Sequence, residues 1–405
     1  MRRNLPVLTI VAPRSKTNEG NATVDEYDTE SVENIETIVI GGGQAGLAVG
    51  HELQKRGRPF VILDAHPNVG DAWRKRWDSL VLFTPARYCG LPGMRFPASG
   101  GTFVTKDQMA DYLEAYVQRF DLPVRTNTRV DSLSRDGDRF RVTSGSTTFE
   151  ADNVVVAMAN FQLAKVPAFA TKLDPGIVQR HSLEYKSPTQ LADGSVLVVG
   201  VGNSGADIAM DVVKNHPTWL AGKESAAIPF RIEPFLARNL LVRGVRFVGH
   251  HVLTVRTPIG RKARPKFLAT ATPLIRVKPK DFVPAGITRV GRIVDVLDGL
   301  PVTEDGQTIE VANIIWCTGH RPGFSWIDLP VIGDRQEPQH ERGVLPQEPG
   351  LYFVGLEFTY SATSATITGI GRDARRVVKH LTSRPATGLV ETKGTEPLAS
   401  ALHGE

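Results

Sequence analysis

The chain has 405 residues, 41% hydrophobic and 22% charged, with a net charge of +5. This is an ordinary soluble composition for one to three domains with a large core, and its small charge argues little for an anionic partner. The two cysteines, Cys89 and Cys317, make no CxxC pair and no metal cluster, which fits a reducing, cytoplasmic setting without a structural disulfide; no apolar run approaches the roughly 18 residues of a transmembrane helix.

Residues 1–34 begin Met1-Arg2-Arg3, carry a short apolar stretch broken by Pro6, and turn acidic at Asp25, Glu26, Asp28 and Glu30. They read as a flexible tail in preference to a signal peptide. The run Thr37-Ile38-Val39-Ile40 then leads into Gly41-Gly42-Gly43-Gln44-Ala45-Gly46, with a helix expected over 44–56. A G-x-G-x-x-G between strand and helix binds a dinucleotide. Gly41 allows the tight turn, Gly43 lets the backbone approach the pyrophosphate, and Gly46 lets helix and strand pack closely, with Gln44 and Ala45 at the helix start. The next strand, Phe60-Val61-Ile62-Leu63, ends at Asp64. That is about 18 residues beyond Gly46, where an acid hydrogen-bonds a ribose hydroxyl, as the adenosine of FAD requires. The bland alternative is a surface aspartate at a strand end.

Apolar residues at three-to-four spacing predict a helix over 106–120. Turn signals at Asp136-Gly137 and Ser144-Gly145 frame a β-meander, and residues 153–159 read as a buried strand. A second fingerprint, Gly200-Val201-Gly202-Asn203-Ser204-Gly205, follows the strand Val196-Leu197-Val198-Val199, with a helix expected over 204–215. Asn203 and Ser204 can reach a cofactor or cap that helix. Two fingerprints in one chain suggest a flavin and a nicotinamide held together. The strand Thr218–Ala221 ends in Gly222-Lys223 instead of an acid. A cation there would attract the 2′-phosphate of NADPH, unless Lys223 is simply a solvated lysine.

Residues 254–280 hold eight cations and no acid. Such a block can touch nucleic acid or anionic lipid, but its four prolines and its place inside the second unit favour a solvated surface that aids NADPH capture. Residues 312–319 repeat the form of 152–160, residues 350–355 form another buried strand, and a last helix is expected over 371–382. The returning segments predict an α/β fold of two Rossmann-like dinucleotide-binding domains, the NADPH domain inserted in the FAD domain. The expected bounds are a tail over 1–34, the FAD domain over 35–170 and 306–383, the NADPH domain over 171–305, and a loose tail over 384–405.

From 36 to 382 the chain resembles the flavin-containing (class B) monooxygenases and the plant auxin-forming flavin monooxygenases. Beyond the fingerprints, the resemblance rests on Gly70-Asp71-Ala72-Trp73-Arg74-Lys75-Arg76-Trp77, similar to the family's G-x-W-x-x-x-W, and on the segments 82–87 and 91–97. It rests also on His181-Ser182-Leu183-Glu184-Tyr185, similar to the second half of F-x-G-x-x-x-H-x-x-x-Y, and on Cys317-Thr318-Gly319. It departs at Pro175 and Ile177, where the signature has Phe and Gly. Thr84 stands where many N-oxygenases have Asn, and Tyr185 where Baeyer–Villiger enzymes have Trp.

The resemblance implies an FAD enzyme reduced by NADPH that inserts one atom of O2 into a small organic substrate through a flavin C4a-(hydro)peroxide. The cofactor carries that chemistry, so no catalytic triad or metal set is required. Trp73 would pack beside the flavin, and Thr84, Asn203 and Tyr185 are the catalytic candidates. His181 and Tyr185 would bridge the domains. Arg87 would meet an anionic substrate or NADPH, or lie on the surface. No nucleic acid partner is expected. Two other readings stay open: an NADPH oxidase or a reductase of a quinone or electron carrier, and a non-catalytic flavoprotein that senses redox state.

Overall fold

The computed structural model describes residues 31–270, 272–333 and 336–384. It is a mixed α/β molecule with two principal sheets. In the first, the strands run Val124–Arg125, Phe60–Leu63, Ser31–Ile40, Thr147–Val156, Arg139–Ser144 and Ser132–Asp136, and Leu351–Phe353 also pairs with Thr147–Val156. Ser31–Ile40 is parallel to both of its neighbours, while the meander is antiparallel. The second sheet runs Val178–His181, Asn313–Trp316, Val196–Val199, Thr218–Ala221 and Ile287–Val290, all parallel. Val196–Val199 is buried throughout, as a parallel strand covered on both faces must be.

Several expected bounds move, and Asn313–Trp316, expected in the FAD domain over 306–383, pairs instead with Val178–His181 and Val196–Val199 in the second sheet. Residues 1–30 lie outside the described residues, but Ser31–Asn34, expected in the tail, are already strand, in register with Thr147–Glu150. The strand expected over 153–159 starts at Thr147 and ends at Val156. Its first half belongs to the meander, with Phe149 and Ala151 opposite Val142 and Phe140. The helices expected over 44–56 and 204–215 are Gln44–Gln54 and Asn203–Val212. The last helix starts at Ile367 and not at Gly371. Glycine is a poor helix former, yet Gly369 is needed in that first turn: a Cβ there would lie 2.0 Å from the Thr363 carbonyl oxygen. The tail expected over 384–405 lies, after Arg384, outside the described residues.

The helix Lys106–Phe120 forms as its pattern dictates, with Thr105 and Gln108 making a reciprocal capping box at its start. Its buried face brings Tyr112 and Tyr116 onto the loop 91–96, where their hydroxyls donate to the carbonyls of Met94 and Pro92. The helix Ile367–Thr382 lays Ile370, Ala374, Val377 and Val378 into the same core as Leu47 and Leu53 of Gln44–Gln54.

The basic block is not uniformly solvated. Lys278 is buried and donates to the carbonyls of Ile228 (3.1 Å) and Ile275 (2.7 Å), and Arg276 donates to that of Val81 (2.8 Å). Both cations serve as struts, because buried donors must find acceptors. Arg261, Lys262, Arg264 and Lys266 lie on the helix Pro258–Ala269, which is preceded by a long helical stretch, Ala237–Val252, of wide π-turns flanking Val242–Phe247.

Candidate functional site: two glycine turns and the segment between them

The two fingerprints build the same turn. Gly41 has φ +109° and Gly200 +115°, a region that favours glycine. Their N–H groups donate to Leu63 O and Ala221 O, each at 2.8 Å across the sheet. A Cβ on Gly46 would lie 1.9 Å from Gly41 O, and one on Gly205 1.9 Å from Gly200 O. The back walls also correspond. Ala157 N–H donates to Ile40 O and Cys317 N–H to Val199 O, each at 2.8 Å.

The helices that follow begin without a side-chain cap at Gly43 and Gly202. A Cβ on Gly43 would meet nothing within 4 Å. Beside it Ala45 is buried, and the Oε1 of Gln44 is buried without a partner. Unpaired N–H groups at the positive end of a helix, approached through an open glycine, suit an anion.

Asp64 stands where its spacing places it, at the end of the second strand and buried. Its Oδ2 accepts the Gly42 N–H (2.6 Å) and its Oδ1 the His66 N–H (2.7 Å), with His66 Nδ1 at 2.9 Å. Burial is the largest influence and pushes its pKa up, but the hydrogen bonds from His66 and Gly42 together hold it below the usual carboxylate range. The Gly42 contact escaped the sequence reading. A Cβ on Gly42 would lie 2.8 Å from Asp64 Oδ2, so the middle glycine is also required. Its signal was the unbroken run of three glycines.

At the second turn Lys223 is exposed beyond Gly222, whose φ is +135°. Arg289, from the neighbouring strand, donates to Leu220 O (2.7 Å) and Gly222 O (2.8 Å) and holds this strand end in place. Asn203 does not cap its helix. Its Nδ2 donates to Pro273 O (3.1 Å) and its Oδ1 accepts the Ile275 N–H (3.0 Å), so it clamps the basic segment to the turn. Ser204 is half-buried and does not cap either. On the same helix, burial pushes the Asp207 carboxyl up to about 6 against the opposing charge of Arg276.

The double-tryptophan segment joins the two units. Trp73 is half-buried against the first core, whereas Trp77 is buried in the second with Tyr185 and Val198. Asp78 N–H donates to Lys186 O (2.8 Å), and Lys186 Nζ reaches Arg74 O (3.3 Å). The G-x-W-x-x-x-W spacing by itself gives no sign that Trp77 crosses into the second core. Tyr185 is fully buried; its hydroxyl donates to Asp211 Oδ2 (3.1 Å), and burial pushes its pKa upward. His181 accepts the Leu183 N–H at Nδ1 (3.2 Å), which leaves Nε2–H to donate to Gly319 O (3.0 Å). Thr84 lies half-buried on the strand Val81–Pro85, its carbonyl accepting from Cys89 Sγ (3.3 Å). Arg87 is exposed and donates to Gly100 O.

Beyond the two strand ends, Asn160 Oδ1 and His320 Nε2 are buried without partners. The His320 ring packs edge-on to His181, with centroids 5.3 Å apart. Burial, with Arg76 nearby, pulls its pKa down to about 4, so it is neutral at neutral pH. Burial pushes the thiols of Cys89 and Cys317 up to about 12, and both are free. They supply no redox dithiol. Among the described residues no group of His, Cys, Asp or Glu could hold a metal ion, and no helix is long and apolar enough to cross a membrane.

Residues 38–225 match the pyridine nucleotide-disulphide oxidoreductase family. An uncharacterised CzcO-like oxidoreductase of Geobacillus kaustophilus is 36% identical over 86% of this chain and 98% of its own length. The indole-3-pyruvate monooxygenase YUCCA1 of Oryza sativa is 29% identical over 85% of this chain and 90% of its own. Among solved structures, a flavin-containing monooxygenase from Stenotrophomonas maltophilia superposes with a TM-score of 0.66, at 29% identity, over 86% of this chain and 98% of its own. The chain therefore belongs to the CzcO-like oxidoreductases, and flavin-dependent monooxygenases are among its homologues and structural neighbours.

Proposed function

We propose that the protein is an FAD-dependent, NADPH-driven monooxygenase that transfers one oxygen atom from O2 to a small organic substrate. The observation that carries this reading is the pair of equivalent glycine turns, each opening an uncapped helix between parallel strands, on two separate sheets. The two sheets are the cores of two Rossmann-like domains, with the NADPH domain inserted in the FAD domain. The strand Leu351–Phe353 returns the chain to the first sheet after the second is complete.

Gly41, Gly43 and Gly46, with the helix start at Gln44 and Ala45, hold the FAD pyrophosphate. The Asp64 carboxylate accepts a ribose hydroxyl; its two oxygens offer about four lone-pair sites, so the bonds from Gly42 and His66 leave room. Gly200, Gly202 and Gly205, with Asn203 and Ser204, hold the NADPH pyrophosphate, and Lys223 its 2′-phosphate. Trp73 lines the flavin side. Bound together, the two cofactors supply hydride transfer and oxygen activation; the chain binds them, orients them and keeps water away. Tyr185 acts as a positioning residue, because its hydroxyl is committed to Asp211 inside the core. Thr84 and the unpartnered Asn160 and His320 are the groups best placed to meet ligand.

The test is the fate of oxygen. The purified protein should be yellow and should bleach with NADPH in the absence of air. With a panel of amine, sulfide, ketone and 2-oxo acid substrates, labelled O2 should appear in a product in step with NADPH consumed. Near-stoichiometric hydrogen peroxide with every substrate would replace this reading with an NADPH oxidase, or with a reductase of a quinone or electron carrier. The departures at Pro175, Ile177 and Thr84 keep that alternative in play.

A further inference from the structure

From Pro234 to Lys280 the chain carries eleven lysines and arginines and no acid. Within it the helical stretch Ala237–Val252 has two unlike faces. The inner face is fastened to the first unit. Arg238 donates to Gly101 O, the Arg246 guanidinium lies 4.9 Å from the Tyr88 ring centroid, and Arg372 donates to His250 O (2.6 Å). The next turn is pinned by backbone bonds from Val255 to Tyr360 and from Ala362 to Leu253.

The outer face exposes large apolar side chains. Leu236, Leu240, Leu241, Val245 and Phe247 are 41–67% exposed, and Ile259, at the start of the next helix, is 62% exposed. Leu236, Leu240 and Phe247, spaced by four and seven residues, share one side of the helix, and Leu241 and Val245, four apart, widen that apolar face. Exposed cations interleave with them, including Arg243, Arg261 and Lys262. An apolar patch of this extent on an anchored helix marks an interaction site.

We propose that this face docks the protein on an anionic lipid bilayer surface, the apolar side chains entering the headgroup–acyl boundary and the cations meeting lipid phosphates. Aliphatic and Phe side chains interleaved with Arg and Lys are what an interfacial helix presents to lipid. Nucleic acid would gain little from the leucines, since its recognition rests on charge, stacking and hydrogen bonds. A symmetric contact with a second copy would press two acid-free basic faces together. The inference is independent of the redox reading and is tested without NADPH.

Full-length protein is sedimented with vesicles of phosphatidylcholine alone and with vesicles containing phosphatidylglycerol. Binding is expected only to the second, weakening as salt rises. The double variant Leu240→Glu, Phe247→Glu should lower that binding at least about tenfold, while Leu297→Glu, the same change at a site 55% exposed on a distant hairpin, should leave it intact. Flavin content and circular dichroism verify folding of each variant. No binding to either vesicle overturns the proposal, as does binding that the double variant leaves unchanged. A wild-type dimer that the double variant splits, seen by light scattering, overturns it in favour of a contact between copies.

Discussion

Gly43→Ala separates cofactor binding from folding at the first turn. Gly43 has φ −77° and ψ −175°, an extended conformation open to any residue, and an added Cβ meets nothing within 4 Å. The variant should therefore fold, and losing a glycine from the unfolded chain should stabilise the apoprotein by about 0.4–1 kcal/mol. The same methyl would stand between the helix start and the pyrophosphate. A hydrogen-bonded phosphate oxygen comes to about 2.9 Å of a backbone nitrogen, whereas contact with a methyl carbon needs about 3.5 Å. The phosphate must back away and lose one or two charge-assisted hydrogen bonds, about 1.5–3 kcal/mol each. FAD affinity should then fall roughly 10- to 100-fold for one lost bond and up to about 10,000-fold for two.

Gly46→Ala is the contrasting variant. Its Cβ would lie 1.9 Å from Gly41 O, so the apoprotein itself should lose about 1–3 kcal/mol through overpacking. The assay is FAD titration of stripped protein by flavin fluorescence, beside thermal melts of the apoprotein. Unchanged FAD affinity in a Gly43→Ala protein that melts like the wild type would refute the pyrophosphate assignment.

Asp64→Asn should destabilise the protein at pH 7 by about 1–3 kcal/mol, since the carboxylate accepts bonds from both Gly42 and His66. The folded pKa of Asp64 is depressed, so its stabilisation is present above the ordinary Asp pKa and is lost as pH falls through the folded value. The wild-type advantage in urea melts should accordingly shrink at pH values below about 4. Lys223→Ala should raise KM for NADPH about tenfold and leave KM for NADH unchanged, because only NADPH carries the 2′-phosphate; equal effects on both coenzymes would remove Lys223 from the site. Tyr185→Phe should cost about 1 kcal/mol in stability from the lost bond to Asp211, with kcat close to wild type across the pH range. A large, pH-dependent fall in kcat would make Tyr185 catalytic.

Where the constraint is local, the sequence alone determined the structure. A strand that must reverse into a helix needs a positive φ at Gly41 and Gly200, and no Cβ can fit at Gly46 or Gly205, so both turns were legible from glycine spacing. Asp64 was legible for the same reason, since a short helix and strand fix its distance from Gly46. The apolar runs of the central strands and the periodic helix Lys106–Phe120 were equally readable, because each buries one pattern against one core. What the tertiary structure decided depends on partners far along the chain. Asn203 clamps residues 273–275, Arg289 braces the Lys223 strand end, and Trp77 crosses into the second core. The basic block shows the limit most clearly. Its charge is plain from composition, but only the folded chain separates buried struts such as Lys278 from exposed cations such as Lys262. Composition fixes how much charge a segment carries, whereas packing fixes which charges keep their water.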